Sequence, residues 1–379
     1  MSVFWESANV PVHCNVLCTT RSEALAAARG DIRLAVCDRC GFVCNTAFDP
    51  QRLRYGQTYE NSLHFSPRFQ DYAASLAGRL IEKYGLRDKN VIEIACGQGE
   101  FLRLLCRLGD NRGVGFDPSY MPDPEVDSSV ERIAFVRDFY SRGHADYRAD
   151  FICCRHALEH MVDPVSFLRT VLANTGRRED VIVFFEVPNV EYTLRDLGIW
   201  DIIYEHCCYF SACALARCFV QAGFAVDAVT EEYGGQFLTI AAHASAWGDT
   251  PECGSFGDPA PVYRAAAAFA GRFDEKLRMW KDRLLGREHT LGRVVVWGSG
   301  SKGVTFLNML DGSAGIDFVV DINPRKAGMF VAGVGVEIVQ PRFLRDYRPE
   351  TVIIMNPLYE DEIKRTLASL NVDARVLLA

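Results

Sequence analysis

Between about residue 70 and residue 245, short apolar runs alternate with stretches whose apolar residues recur every three or four positions. The runs Val91–Ala95, Val114–Phe116, Ile133–Arg137, Phe151–Cys154 and Val181–Glu186 are too short for helices and predict buried strands. The amphipathic stretches between them predict helices over Phe69–Lys83, Phe101–Leu108 and Pro164–Ala173. Such alternation is the rhythm of a doubly wound α/β sheet with helices on both faces. Cys213–Ala222 predicts one more helix, and Ala225–Thr230 with Gln236–His243 an antiparallel closing pair. Asp249–Pro261 is rich in Gly and Pro and predicts a linker, after which Val262–Leu285 predicts one long amphipathic helix bridging two domains. A second α/β unit starts at Arg293. The expected organisation is an N-terminal module and lid over residues 1–68, a central domain over 69–248, a linker and bridging helix over 249–290, and a smaller domain over 291–379.

Composition narrows the class. With 379 residues, 49% hydrophobic and 24% charged, the chain is long enough for two or three cores. A net charge of -8 argues against a nucleic-acid partner, because phosphate backbones need clustered Lys and Arg. The sequence has no apolar run of about 18 residues, and its start lacks the basic-then-apolar order of a signal peptide. A cytoplasmic protein off the membrane, monomeric or a homodimer, is the expectation. The 14 cysteines include the adjacent pairs Cys153–Cys154 and Cys207–Cys208, which suit packing better than a disulfide framework.

Four cysteines stand apart. Cys14 and Cys18, then Cys37 and Cys40, give C-x3-C followed by C-x2-C, with Gly41 after the second pair. Two such pairs can place four thiolates on one tetrahedral Zn2+. His13 or Cys44 could stand in as the fourth ligand, and a metal-free thiol cluster is the alternative. Little helical periodicity or apolar density marks the first 50 residues, so a structural zinc is expected to hold the module together.

The densest chemistry follows the first predicted strand. Val91–Ala95 runs into Cys96-Gly97-Gln98-Gly99-Glu100-Phe101, and Asp117 ends the next apolar run. Glycines without a Cβ let backbone press on a ligand, and a carboxylate at the next strand end can accept both hydroxyls of a ribose. Three histidines lie where such a sheet binds ligands. His160, in His156-Ala157-Leu158-Glu159-His160, follows Phe151–Cys154; His206, in Tyr204-Glu205-His206, follows the fifth strand; His64, with Tyr59 nearby, lies just upstream where a lid would sit. Two histidines each preceded by glutamate suggest imidazoles oriented and made more basic by a carboxylate.

The run from Val91 to Phe101 resembles motif I of class I S-adenosylmethionine-dependent methyltransferases, with Glu93 facing the methionine end and Asp117 the ribose. The whole chain resembles the sugar C-methyltransferases of deoxysugar biosynthesis, which place a branching methyl on a nucleotide-linked keto-sugar. That resemblance implies a small N-terminal zinc-binding module, a central Rossmann-like methyltransferase domain and a smaller C-terminal Rossmann-like domain that holds the nucleotide part of the acceptor. It implies a donor site of Glu93, Ala95, Gly97, Gly99, Phe101 and Asp117, with Asp138 near the adenine amino group and His156 beside it. It implies His206 as the general base, Glu205 orienting it, and His160 or Tyr204 stabilising an enolate oxygen. On the acceptor side it implies Tyr59, His64, Gly235, Gly298, Ser301 and Lys302, to which Asn356 at a later strand end could add an amide.

The sequence departs from that family in three places. Ala95 replaces a glycine, Ile203 stands where a tyrosine is expected, and Cys207-Cys208 replace bulkier aromatics beside the base. A relative with a different acceptor is therefore expected, and methylation of a hydroxyl is the alternative. Gly298-Ser299-Gly300-Ser301-Lys302-Gly303 is a literal G-x-G-x-x-G with Asp321 at the next strand end, which motivates a rival NAD-binding reading. A non-enzymatic binding module is the third reading.

Overall fold

The computed structural model describes residues 1–53, 60–122, 132–246, 257–285, 291–310 and 315–379. Its described strands form three sheets. In the first, β1 (Ser2–Pro11), β2 (Arg29–Val36) and β3 (Val43–Asn45) pair antiparallel, and β9 (Cys208–Tyr209) joins the free edge of β3. Two residues from far along the chain thus complete the N-terminal sheet, immediately after Glu205-His206. Sequence periodicity gave no hint of that pairing.

The central sheet has the order β10-β11-β8-β7-β4-β5-β6. Here β4 is Asn90–Ile94, β5 Arg112–Phe116, β6 Ile133–Val136, β7 Phe151–Arg155 and β8 Ile182–Pro188, all parallel. β10 (Phe224–Glu232) and β11 (Phe237–Ala244) close it antiparallel. Each predicted strand and helix of this region appears within about two residues of its expected ends; the central strands β4, β7 and β8 are buried on both faces, and their apolar runs leave little choice. The helix Pro67–Tyr84 starts at the cap Ser66, whose hydroxyl accepts the Phe69 N–H, and stops at Gly85 in the left-handed region. The chain switches direction beside β4, so the crevice at the strands' carboxyl ends opens there.

The third sheet is all parallel, in the order β14-β13-β12-β15-β16, with β12 Val294–Trp297, β13 Ile316–Val320, β14 Glu337–Val339, β15 Thr351–Ile354 and β16 Arg375–Leu378. The long helix Ala260–Leu285 lies across the boundary between sheets. Most of the expected linker before it lies outside the described residues.

The N-terminal module corrects an expectation. Trp5, Val12, Ile32, Leu34, Val36 and Val43 are buried in one core with Trp200, Tyr204, Phe269, Phe273 and residues of the third sheet. Trp5 packs on Phe273 with ring centroids 4.8 Å apart. The module lacks a core of its own and shares one with its neighbours. No helix among the described residues is long and apolar enough to cross a membrane.

Candidate functional site

The turn after β4 is built around left-handed backbone. Ala95, Gly97 and Gly99 have φ of 55°, 56° and 79°. A Cβ on Gly99 would lie 2.4 Å from Phe135, so glycine is required there by packing. A Cβ on Gly97 would meet nothing within 4 Å, so this side of the turn faces open space that a ligand can fill. Asp117 closes the turn from β5. One carboxylate oxygen accepts the Gly97 N–H at 2.9 Å, and the other accepts from the Ser119 amide and hydroxyl at 2.7 and 2.6 Å. Asp138 lies two residues past β6 at the same edge and is exposed, next to the exposed ring of Phe139.

Glu93 sits beneath the turn, buried, with Oε2 lacking any hydrogen-bond partner. Burial pushes its carboxyl up to about 8, against the opposing pull of Arg155. A buried acceptor left open beside an open cradle is what a cationic ligand group would satisfy. The residues present fit S-adenosylmethionine.

From Glu93 a line of charged groups follows the carboxyl ends of the strands. Arg155 and Glu186 are register partners at the ends of β7 and β8. The guanidinium donates from Nε and Nη2 to Glu186 Oε1 at 3.0 and 2.8 Å, and lies 4.2 Å from the centroid of Phe101. The Tyr72 hydroxyl donates to Glu186 Oε2, and His156 Nε2 lies 2.8 Å from Oε1. Burial opposes ionisation of Glu186, yet Arg155, His156 and Tyr72 hold its carboxyl down at about 2. His156 has φ 52°, a left-handed residue that swings the chain from β7 toward His160. His64 packs edge-on to Phe69, and burial followed by the charge of Arg155 lowers its imidazole to about 4.

His160 and His206 meet at the end of this line, with ring centroids 4.9 Å apart. Burial, then His160, His156 and Lys302, hold His206 well below the usual imidazole range. Burial likewise lowers His160, with Glu205 opposing. Lys302, from the glycine turn of the third sheet, pairs with Asp201 just upstream of His206. Ser301 opens the helix Ser301–Met309 beside it, after Gly300 in extended backbone and Gly298 at φ 114°. The third sheet's glycine turn is thereby aimed at the histidine pair of the central sheet.

Several expected site residues are placed elsewhere. The Glu205 carboxylate is fully buried and accepts the Cys14 N–H at 2.9 Å, with His13 Nδ1 at 3.3 Å, so it anchors the N-terminal segment rather than orienting His206. The chain turns at Tyr204 and Glu205, with the His206 N–H bonded to the Ile203 carbonyl at 3.3 Å. Tyr204 is buried against Phe48 and Gly30, and its hydroxyl accepts the Asp49 N–H at 2.9 Å. It belongs to the shared core and cannot reach an enolate at the histidines. Asn356 and the Gly235 turn meet each other: Asn356 bonds Gln236, and the Gly235 carbonyl accepts from Asn189. Tyr59 lies outside the described residues.

The four cysteines do not fit a zinc ion. Zinc thiolate bonds of about 2.3 Å require four sulfurs under about 4 Å apart. Among the described residues, the one group of three or more ligating side chains with atoms within 4.8 Å of one another is Glu159, His160 and His206. The Cys14 backbone N–H donates to Glu205 and the Cys18 carbonyl accepts the Phe330 N–H of the third unit, while the Cys37 and Cys40 thiols bond each other and the backbone at Arg39, Cys40 and Phe42.

Sequence reasoning missed Tyr72, Arg155 and Glu186, and it paired Glu159 with His160 rather than with His206. A signal was present: Phe-Ile-Cys-Cys-Arg and Val-Phe-Phe-Glu are neighbouring apolar strands that end in opposite charges.

Comparison with known proteins agrees with this geometry. Residues 65–229 match a family model described as a methyltransferase domain, and residues 263–376 match a C-methyltransferase C-terminal domain. Among solved structures, the chain is similar to the 1,6-didemethyltoxoflavin-N1-methyltransferase of Burkholderia thailandensis, at 16% identity over 48% of this chain and 82% of that one, TM-score 0.38. It is similar to a SAM-dependent methyltransferase from Aquifex aeolicus at 16% identity over 45% and 89%, TM-score 0.37. No curated protein matches it. The doubly wound sheet, its donor turn and the matched domains define a class I S-adenosylmethionine-dependent methyltransferase. Within that class, this enzyme carries a C-methyltransferase C-terminal domain.

Proposed function

We propose that the enzyme methylates a carbon beside a carbonyl on a small-molecule acceptor, most plainly a nucleotide-linked keto-sugar. The observation that carries this reading is the juxtaposition of the His160–His206 pair with Lys302, because it puts a base and a cation between donor turn and third sheet. Gly97 and Gly99 would hold the donor's backbone-facing side, Asp117 its ribose, Asp138 with Phe139 its adenine, and Glu93 its amino group. When bound, S-adenosylmethionine supplies an electrophilic methyl group.

Carbon becomes nucleophilic only after a proton beside the carbonyl leaves. His206 is kept neutral first by burial, with the Lys302 charge also disfavouring its protonation, so its lone pair is available to take that proton. Lys302 supplies positive potential where negative charge develops on the enolate oxygen. Lys302 can exchange Asp201 for a phosphate of the acceptor, with the helix start at Ser301 adding N–H groups. The aligned groups then act largely by position. The resemblance to nucleotide-sugar enzymes supports the acceptor class, and the Cys207-Cys208 pair supports a pocket of different shape.

The test is solvent-deuterium exchange beside the carbonyl, followed across a panel of nucleotide-linked keto-sugars with S-adenosylhomocysteine bound. Exchange that disappears in His206→Ala supports the reading. Methylated product without any exchange moves the chemistry to a hydroxyl. Calorimetric binding of NAD in place of the homocysteine product would favour the rival dinucleotide reading.

A further inference from the structure

With Glu205 committed to the N-terminal segment, His206 is left without the carboxylate that the sequence assigned to it. A different one lies at hand. Glu159, His160 and His206 bring their ligating atoms within 4.8 Å of one another. Glu159 is 2% exposed, and its Oε2 has no hydrogen-bond partner; His206 Nδ1 is buried and likewise lacks one. The other two contacts fix the rings. His160 Nδ1 donates to the Glu205 carbonyl at 3.0 Å, and the His206 ring is hydrogen-bonded to the Asp201 backbone while its Nδ1 has no partner. With the ring's N–H given to Asp201, Nδ1 of His206 carries the lone pair, and the unpartnered Glu159 carboxylate lies in the same buried cluster.

We propose that Glu159 is the positioning carboxylate of His206, neutralising the imidazolium formed when His206 takes the acceptor's proton. This rests on the carbon-methylation reading. In that step the carbon–hydrogen bond breaks, its electron pair stays with the substrate as enolate, and the proton bonds Nδ1; Glu159 forms no covalent bond. An oriented carboxylate in a dry pocket offsets the charge far better than water-screened groups can. Glu159 acts only when ionised. Burial places its carboxyl at about 8, with Cys207 and Glu186 as further charges facing it, while His156, His160 and Lys302 face His206. Proton abstraction is then expected to rise with pH through that region.

The decisive experiment needs no acceptor. Carbon-13 histidine NMR of the full chain, saturated with S-adenosylhomocysteine in chelator-treated buffer, follows the His206 ring, assigned by its loss in His206→Asn. An inflection near pH 8, lost in Glu159→Gln and kept in Glu159→Asp, is expected. An inflection that persists in Glu159→Gln, or no inflection in the wild type, overturns the assignment. The exchange assay speaks separately: a wild type without exchange defeats carbon methylation, and with it the catalytic use of the pair, whatever the NMR shows. Where exchange occurs, Glu159→Gln should slow it roughly 100-fold at little change in KM.

Discussion

Gln236 and Asn356 trade two side-chain hydrogen bonds, Nε2–H to Oδ1 at 2.9 Å and Nδ2–H to Oε1 at 3.0 Å. Gln236 sits at the turn between β10 and β11, and Asn356 just past β15, so one amide pair clasps the central sheet to the third. Beside it, Leu358 packs against the turn close enough that a Cβ on Gly234 would lie 3.0 Å away. Removing one partner leaves a buried amide unsatisfied. Asn356→Ala is expected to cost about 1–3 kcal/mol in urea unfolding and to raise acceptor KM more than donor KM.

The donor turn separates ligand effects from packing effects. Gly97→Ala enters open space, so it should cost only the left-handed strain of about 1–2 kcal/mol while weakening donor binding about tenfold or more by calorimetry. Gly99→Ala meets Phe135 as well and should cost about 2–4 kcal/mol in a denaturant melt. Ala95→Gly relieves strain and should raise stability by about 0.5–1 kcal/mol after the unfolded chain's extra freedom is deducted.

Glu205 and His206 are adjacent, yet their substitutions should read out differently. Glu205→Ala leaves the buried Cys14 N–H without its acceptor and is expected to lower stability by about 1–3 kcal/mol. His206→Ala should leave the melting temperature nearly unchanged and abolish exchange. Loss of activity in Glu205→Ala without loss of stability would return it to the chemistry.

Stability should fall on both sides of a mildly acidic optimum. Glu186 is held at about 2 when folded against an ordinary 4.5, so its contribution is complete above pH 4.5 and is lost as pH falls toward 2. Glu93 and Glu159 are raised to about 8, so the folded protein holds extra protons between pH 4.5 and 8 and loses stability as pH rises through that window. Urea midpoints followed across this range should show the decline, and Glu93→Gln should flatten it in donor-free protein.

Chelation should leave the protein folded. The N-terminal sheet is held by Trp5, Ile32, Leu34 and the helix carrying Phe269 and Phe273, not by sulfur. Dialysis against a strong chelator is expected to leave the melting temperature unchanged. A large drop, with about one equivalent of zinc released, would show that the thiols do converge in solution.

The middle of the central sheet was legible in the sequence because β4, β7 and β8 are buried on both faces, and such strands read as short, mainly apolar runs. The turn after β4 was legible for a related reason: left-handed backbone favours glycine, and Gly97 and Gly99 announce it. Asp117 followed from its place at the next strand end. These are local constraints, each written within a few neighbouring residues.

What only the tertiary structure decided depends on partners distant in the chain. Cys208–Tyr209 completes a sheet begun at Ser2, and that pairing fixes which way Glu205 and Tyr204 turn. The N-terminal module borrows its core from the long helix and the third sheet, so sparse apolar density near Cys14 and Cys37 said nothing about how it is held. Glu159 and Glu205 each precede a histidine and look equivalent in sequence. Glu159 Oε2 stays buried and unpartnered in the cluster with His206, and a backbone N–H from Cys14 takes up Glu205, because the direction of a side chain is set by what its neighbours leave room for.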